Sequence, residues 1–275
     1  VEWLRENGLA KAEKKAGRIA AEGIVKTFIS ADGKNASMVE VNSETDFVAK
    51  NDKFQDFVGD VVEQINGSAA EDVEAFLAEA WAKDSSKTVK EELASMVATI
   101  GENMNIRRFA KLSADNGVVV DYIHAGGKIG VLIAAETDNT GDEVVECLKN
   151  VAMQIAAMNP EYLSADDVSE EYKEKEKKIL LEQAKNDPKN AGKPENIIEK
   201  MIIGRLNKEL KEVCLTEQVY VKAENKETVA KYVESVAKAV GCNLKLTGFV
   251  RYETGEGLEK KEEDFAAEVA AQMNA

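Results

Sequence analysis

The chain has 275 residues, of which 44% are hydrophobic and 32% are charged, and its formal net charge at pH 7 is −15. This size and composition suit a folded, helix-rich protein with a sizeable core and argue against a disordered chain. The negative charge repels phosphate backbones, which disfavours direct binding of nucleic acid, and no apolar run reaches the ~20 residues of a membrane span.

The first elements along the chain are a helical segment and a β-hairpin. Residues 1–21 have a helical composition, and Gly8 indicates a break between two short helices. The runs at residues 24–29 and 38–41 flank an Asp-Gly turn, which is typical of a hairpin. Apolar residues at helical spacing predict helices at residues 54–65, 71–83 and 88–100, and an extended stretch begins at residue 105.

The hairpin-plus-helix pattern occurs a second time in the next part of the chain. Strand-like runs at residues 118–123 and 129–134 flank a glycine-rich turn, and a helix is predicted at residues 142–158. The second hairpin ends in Glu136-Thr137-Asp138, the same triplet as Glu44-Thr45-Asp46 in the first. We therefore predict two related units. They differ at the next position, where the first unit has Phe47 and the second has Asn139.

Residues 160–214 have the character of an insertion. Two densely charged segments each carry a narrow apolar seam, and Pro188, Gly192 and Pro194 break the chain between them. Two helices with a short connection run antiparallel, so we predict a helical hairpin that projects from the body with arms of roughly 30 Å.

The last part of the chain returns to the sheet pattern. We predict a strand at residues 217–222, a helix at 228–240 that ends at Gly241, a strand at 244–252 and a terminal helix at 265–273. The full set of elements predicts an α+β protein. It has two related hairpin-plus-helix subdomains with antiparallel sheets, an inserted antiparallel coiled-coil hairpin and a C-terminal helical module.

Asp46 and Phe47 lie side by side at a predicted strand-to-helix corner, and such corners are on the surface of a protein. An exposed phenylalanine next to an acid is unfavourable unless a partner receives it. In the alternative interpretation, Thr45 or Asp46 caps a helical turn and Phe47 packs against the following helix. The second unit keeps Thr137 and Asp138 without the ring, so capping alone does not require Phe47.

The single histidine, His124, lies at the predicted tip of the second hairpin, just before Gly126 and Gly127. A plain turn next to an exposed imidazole accounts for this sequence. A phosphate-binding loop is disfavoured because these glycines join two strands, whereas such a loop leads from a strand into a helix.

Three cysteines are present, and no two of them form a Cys-x-x-Cys pair. Their spacing argues against a zinc site and a disulfide framework and favours small buried thiols in a reducing cytosol. They are Cys147, Cys214 and Cys242. We predict that the chain has no enzymatic activity, no metal site and no cofactor.

Several motifs, in the same order over nearly the whole chain, resemble the bacterial elongation factor Ts family, the nucleotide exchange factors for elongation factor Tu. They are Lys14-Lys15-Ala16-Gly17, Glu40-Val41-Asn42, Thr45-Asp46-Phe47-Val48-Ala49, Ile100-Gly101-Glu102-Asn103, Asn105-Ile106-Arg107-Arg108, Gly130-Val131-Leu132, Gly255-Glu256-Gly257-Leu258-Glu259-Lys260 and Asp264-Phe265-Ala266-Ala267.

Together with the predicted elements, the resemblance implies four regions. They are the remnant of an N-terminal helical domain with its linker at residues 1–21, core subdomains at 22–116 and 117–254, and a C-terminal module at 255–275, with the coiled-coil insert at 160–214. The first residue is not Met and lies within a helical pattern, so we expect a further segment upstream. We also expect a cytoplasmic location, no membrane contact and no direct contact with nucleic acid.

The resemblance also implies a site and a mechanism. The segment of Thr45, Asp46, Phe47 and Val48 is expected to displace Mg²⁺ from the GTPase elongation factor Tu and so to release GDP. Secondary contacts with the GTPase are expected from Lys15, Ile106, Arg107, His124, Gly126 and Phe265.

A second function from another class is a non-catalytic scaffold that binds a partner through its helical hairpin. The sequence leaves open whether the chain is a monomer or a homodimer, and whether its complex is one-to-one or two-to-two.

Overall fold

The structure, a computed structural model, describes residues 2–190 and 192–259. The elements of its first part are α1 (Glu2–Lys15), β1 (Glu22–Ile29), β2 (Asn35–Ser43), α2 (Asp46–Ala49), α3 (Asp52–Gly67), α4 (Val73–Ala78), β3 (Ala80–Trp81), β4 (Asp84–Thr88), α5 (Val89–Ile100) and β5 (Met104–Ser113). Those of its second part are β6 (Gly117–His124), β7 (Ile129–Thr137), α6 (Asp142–Met158), α7 (Glu170–Asn186), α8 (Glu195–Val213), α9 (Val229–Val240) and β8 (Leu244–Glu253).

The first sheet has the antiparallel order β1-β2-β5, and its central strand β2 is buried along nearly its whole length. Helix α3 packs on it because its apolar residues recur every three or four positions and so form one stripe. That stripe consists of Phe54, Phe57, Val58, Val61, Val62 and Ile65, all buried. Asn51 caps the helix by accepting hydrogen bonds from the N–H groups of Lys53 and Phe54.

The second sheet repeats this arrangement with the order β6-β7-β8, and α6 packs on it through a buried apolar stripe. In both sheets the third strand follows a helix that ends at a left-handed glycine, Gly101 after α5 and Gly241 after α9. A separate apolar cluster joins the sheets and includes Val25 and Met38 of the first and Leu132 of the second. The predicted α+β class with antiparallel sheets is confirmed.

Helices α7 and α8 lie side by side in the predicted insert and run in opposite directions. Tyr172 near the start of α7 approaches Glu209 near the end of α8, with a hydrogen bond of 3.4 Å between the hydroxyl and the carboxylate. At the base, the N–H of Leu215 donates to the carbonyl of Tyr162 (2.9 Å) and the N–H of Glu161 donates to the carbonyl of Val213 (2.8 Å). The chain therefore leaves and re-enters the second unit at one place.

Three local predictions are wrong, and the first concerns α1. It is one helix through Gly8 rather than two short helices. A helical glycine costs about 1 kcal/mol relative to alanine, but Gly8 is buried against α5, where an added Cβ would lie 3.9 Å from the carbonyl oxygen of Ala94. That distance is an ordinary van der Waals contact, so the helix continues through Gly8 because α1 packs along α5 and not because a side chain would clash there.

The other two errors concern residues 71–83 and 217–222. Only the first part of residues 71–83 is helical, because Trp81 turns inward onto the ring of Phe57, at 5.9 Å between centroids, and belongs to the β3-β4 pair. Residues 217–222 form no strand. There Val219 forms an isolated bridge with Thr228, and the side chain of Gln154 binds the carbonyl of Val219 (3.1 Å) and the N–H of Val221 (2.8 Å), where a neighbouring strand would otherwise pair.

Among the described residues, no helix is both long enough and apolar enough to cross a bilayer.

Candidate functional site

The corner after β2 forms the one-turn helix α2, which exposes a single aromatic ring. Phe47 has 81% of its surface exposed, the largest fraction among the large hydrophobic residues that the structure describes as exposed. The next two residues, Val48 and Ala49, point inward and join the core of the first unit. The prediction that Phe47 is exposed is confirmed, and the alternative that it packs against the following helix is wrong.

The backbone of this turn is held on both sides. Thr45 caps α2 by accepting a hydrogen bond from the N–H of Val48 (3.4 Å), as one interpretation of the corner predicts. The carbonyl of Ala49 accepts a bond of 2.6 Å from the side-chain amide of Gln55 in α3. The turn therefore presents the Phe47 ring from a defined backbone rather than from a free loop.

Asp46 stands beside the ring as a partly exposed carboxylate. It forms an ion pair of 2.7 Å with the ammonium group of Lys50, one helical turn further on. The hydrogen bond from Lys50 lowers the pKa of Asp46 below its usual range, and the positive charges of Lys50 and Lys128 lower it further. Asp46 is therefore ionised at neutral pH and accepts, rather than donates, hydrogen bonds.

The β6-β7 hairpin and α2 both contact β1, and the charge of Lys128, next to the hairpin tip, contributes to the lowered pKa of Asp46. The tip is attached to β1, where the N–H of Val25 donates to the carbonyl of Gly127 at 2.7 Å. His124 is exposed there, and its Nδ1 lies 3.0 Å from the hydroxyl of Tyr122. Two predicted secondary positions, His124 and Gly126, thus lie at a hairpin tip that is bonded to β1, the strand that α2 also contacts.

Gly127 allows this tip to approach β1. Its φ is +100°, and an added Cβ would lie 3.0 Å from the Cβ of Ile24. We expect Gly127→Ala to lower the free energy of unfolding by about 2 kcal/mol, from a strained positive φ and the clash with Ile24. Urea unfolding followed by circular dichroism measures this loss.

The matched control for this prediction is Gly126→Ala. Gly126 also has a positive φ, +66°, but an added Cβ there meets nothing within 4 Å. We expect a loss of about 1 kcal/mol from the backbone strain alone. Equal losses for the two variants would show that the contact with Ile24 contributes nothing to stability.

A buried carboxylate on β2 connects the two units. Glu40 is fully buried and accepts hydrogen bonds from Arg107 (3.0 Å), Arg108 (2.6 Å), Asn42 (3.0 Å) and the N–H of Gly255 (2.8 Å). Burial by itself raises the pKa of Glu40, but the hydrogen bonds from Gly255, Asn42 and Arg108 outweigh it and hold the pKa below its ordinary value. Sequence reasoning missed this residue, although a charge within the apolar run Met38-Val39-Glu40-Val41 was a signal for it.

Both arginines reach Glu40 because β5 has an irregular register opposite it. Glu40 pairs with Arg108 and Val41 pairs with Ile106, so Arg107 is an extra residue between two paired ones. Arg107 was predicted to contact a partner. Its side chain is only 21% exposed and bonds with Glu40 and with the carbonyl of Glu256, so it serves the fold.

Two other predicted contact residues have buried side chains in the described structure. Ile106 is 1% exposed, since its side chain enters the core of the first unit beneath α3. Val48 is 9% exposed and anchors α2 to the same core. Lys15 is half-buried at the end of α1 and donates to the carbonyl of Gly101, and Phe265 lies outside the described residues.

The cysteines are unpaired thiols in the described part of the chain. Cys147 and Cys214 are buried, as predicted, and Cys242 is half-buried. Burial raises the pKa of the Cys147 thiol to about 11, which keeps it protonated and unreactive at neutral pH.

Comparison with known proteins finds relatives over the full chain. The family described as Elongation factor TS matches residues 44–256. Elongation factor Ts of Clostridium botulinum (strain ATCC 19397 / Type A) is 50% identical over 274 residues, covering 100% of this chain and 88% of the relative. Elongation factor Ts of Clostridium novyi (strain NT) is 51% identical with the same coverage, and that of Clostridium kluyveri is 50% identical over 99% of this chain and 88% of its own length.

At half identity over its whole length, and with a family match that includes the Phe47 corner, the chain belongs to the elongation factor Ts family and is a translation elongation factor.

Proposed function

We propose that this chain is a guanine nucleotide exchange factor for the GTPase elongation factor Tu. In this proposal the α2 turn displaces Mg²⁺ from the GTPase and GDP then leaves. The observation that carries the proposal is the Phe47 ring, 81% exposed on a turn whose next two residues, Val48 and Ala49, are anchored in the core. A large exposed ring at a rigid corner fits insertion into a partner.

The physical argument starts from the metal. Mg²⁺ demands near-octahedral geometry at about 2.0–2.1 Å and is held in GTPases by a few protein oxygens and the nucleotide phosphates. A ring that wedges between helices of the GTPase shifts those ligands by a small distance. Such a shift sharply weakens the binding of Mg²⁺. Without the metal, the nucleotide phosphates lose the positive charge that holds them in the site.

The neighbouring groups have separate roles in this proposal. Asp46, ionised beside Lys50, accepts hydrogen bonds from donors on the GTPase and so orients the wedge. Val48 and Ala49 do not touch the GTPase. They fix α2 to the core and so keep the turn in place when the ring enters the GTPase. His124 on the adjacent hairpin tip adds a contact that supplies affinity.

The exchange requires no covalent step, so we propose that the chain is not an enzyme in the chemical sense and uses no cofactor of its own. The factor binds the nucleotide-free GTPase more tightly than the GDP-bound form. By thermodynamic reciprocity, GDP weakens binding of the factor by the same ratio. GTP or GDP can therefore expel the factor and free it for another cycle.

Release of fluorescent GDP from the loaded GTPase tests this proposal. We expect the chain to accelerate release in a saturable manner, and we expect its affinity for the nucleotide-free GTPase to exceed that for the GDP-bound form. Unchanged release at saturating chain would refute the exchange function.

A scaffold that binds through the helical hairpin is the second candidate function. The observation that favours it is a set of exposed apolar residues on α7 and α8, namely Ile179, Ile197 and Ile203. In this candidate function, the first corner would have only a structural role.

Deletion of the hairpin separates the two functions. Two bonds at its base lie outside residues 165–213, from the N–H of Leu215 to the carbonyl of Tyr162 and from the N–H of Thr216 to the carbonyl of Leu163, so those residues can be replaced by a short Gly-Ser linker. If the chain is an exchange factor, we expect a partial loss of stimulated release, because α2 lies in the other unit. Complete loss of binding and release, with the circular dichroism of the remaining elements intact, would favour the scaffold.

With this function we also propose a cytoplasmic location, where translation takes place. Light scattering of the complex distinguishes a one-to-one from a two-to-two assembly.

A further inference from the structure

The corner that carries Phe47 is bonded to the loop between α5 and β5 in both directions. The Glu102 carboxylate of that loop accepts a hydrogen bond from the N–H of Thr45 (3.0 Å) and another from its hydroxyl (2.7 Å). In return, the Glu44 carboxylate accepts the N–H of Asn103 at 2.5 Å. Each segment therefore supplies an acid that binds the backbone of the other.

The loop is itself held from behind by the end of α1. The ammonium group of Lys15 donates to the carbonyl of Gly101, and the side-chain amide of Asn103 donates to the carbonyl of Arg18 at 2.8 Å. The residues on both sides of Glu102 are therefore bonded to the end of α1 and to the segment just after it.

In the second unit, the threonine at the corresponding corner, Thr137, does not have the pair of bonds that Glu102 accepts from Thr45. Asp138 there accepts bonds from the N–H (2.8 Å) and the side-chain amide (3.2 Å) of Asn243, so the corner is tied to the equivalent loop. Thr137 is not held from that loop, because its N–H donates to the carbonyl of Asn116 (3.1 Å) and its hydroxyl to the carbonyl of Asn139 (3.0 Å). The double bond to threonine thus occurs in the unit that carries the exposed ring.

A helix as short as α2, with four residues, needs this support. Isolated helices below about 12 residues are marginal in water, and the first N–H groups of any helix lack intrahelical partners. Glu102 orients the Thr45 hydroxyl by accepting a hydrogen bond from it, which leaves a lone pair of the hydroxyl oxygen for the N–H of Val48. Bonds to an ionised carboxylate are about twice as strong as neutral ones.

We propose that Glu102 is a positioning residue for nucleotide exchange: it fixes Thr45, and through Thr45 it fixes the direction in which the Phe47 ring points. The inference rests on the proposed function, in which that ring enters the GTPase. Glu102 acts through the turn and need not touch the partner.

Amide hydrogen exchange on the free chain provides the first test. Glu102→Gln keeps one acceptor oxygen but places an NH₂ group opposite the other donor, so we expect exchange of the Thr45 and Val48 amides to accelerate about tenfold, which corresponds to about 1.4 kcal/mol. Asp138→Asn, the matched control in the second unit, is expected to leave these amides unchanged. Unchanged exchange in Glu102→Gln would overturn the proposal without any reference to the GTPase.

The second test measures GDP release at saturating factor. We expect Glu102→Gln to lower the maximal rate about tenfold, with a smaller change in affinity, and Asp138→Asn to have no effect. In a Phe47→Ala background the same Glu102→Gln substitution should change the rate by less than about twofold, because there is no ring left to direct. An equal loss in both backgrounds, or no loss in the native one, would overturn the positioning role.

These measurements distinguish failure of the inference from failure of the proposed function. If Phe47→Ala does not lower release at all, the wedge is wrong, whatever Glu102 does. If Phe47→Ala lowers release and Glu102→Gln does not, the wedge stands and the positioning role is refuted.

Discussion

Phe47→Ala is expected to lower the maximal rate of stimulated GDP release about thirtyfold or more. Truncation of a central aromatic residue in a partner interface removes about 2 kcal/mol or more of interaction, and every 1.4 kcal/mol is about a factor of ten. In the wedge mechanism the ring acts on the step that displaces Mg²⁺, so the loss is expected in the maximal rate rather than in affinity. Stopped-flow release of fluorescent GDP at saturating factor separates the two quantities.

The structure offers a matched control for this substitution. Asn139 occupies the same position after the Glu-Thr-Asp triplet of the second unit, and we expect Asn139→Ala to leave release unchanged. Phe47→Ala should also leave the free energy of unfolding unchanged, since the ring is 81% exposed and so contributes little to the core. Release at the parental rate by a folded Phe47→Ala protein would contradict the mechanism.

Glu40→Gln is expected to lower the free energy of unfolding by about 3 kcal/mol. Loss of one partner of a buried ion pair costs about 3–5 kcal/mol, because the remaining charge is left uncompensated. We expect the lower end of this range, since Arg107 and Arg108 are 21% and 29% exposed and have other acceptors nearby. Urea unfolding measures the loss.

The control for this prediction lies in the same network. Glu256 pairs with Arg108 at 3.2 Å, but its side chain is 44% exposed. We expect Glu256→Gln to change stability by about 0.5 kcal/mol or less, as for other solvated pairs. A loss as large as that of Glu40→Gln would show that burial of the carboxylate is not the cause.

The contribution of Glu40 should depend on pH in one direction. Its pKa is lowered in the folded chain, whereas an unfolded glutamate titrates near about 4.3. The stabilisation is therefore complete above the unfolded pKa and is lost as pH falls through the lower, folded pKa. We expect the stability difference between the parent and Glu40→Gln to be constant above about pH 5 and to shrink below about pH 4.3.

Local sequence patterns were sufficient to predict Phe47 as a surface residue, because the chain contains its own comparison. The repeat shows one corner with a ring and one without, and the capping residues are common to both. The strands at residues 24–29 and 129–134 were equally predictable from the sequence, since each carries β-forming residues next to a turn.

Ile106 and Arg107 show where this reasoning fails. In a regular strand, Arg107 and Arg108 point to opposite faces, so one of them is expected in solvent. The extra residue in β5 brings both to Glu40 and leaves Ile106 in the core. A register shift depends on pairing with a strand more than 60 residues away, at Glu40, which no local pattern reports.

The prediction of a strand at residues 217–222 fails for a related reason. Their composition is typical of a strand, but their backbone bonds with the side chain of Gln154 and with a short stretch at residues 227–229 instead of with a neighbouring strand. A buried glutamine on α6 can form backbone bonds that a neighbouring strand would otherwise form. Nothing in the composition of residues 217–222 indicates that it does so.

The bonds around Thr45 have a consequence for the kinetics of any encounter. Because the turn is already ordered in the free chain, the conformational entropy of that ordering is lost during folding and not during association. In the proposed exchange mechanism, we therefore expect the slow rearrangement to occur in the GTPase and not in this turn. Association rates should accordingly follow long-range attraction and ionic strength, and they should not depend on how fast this corner folds.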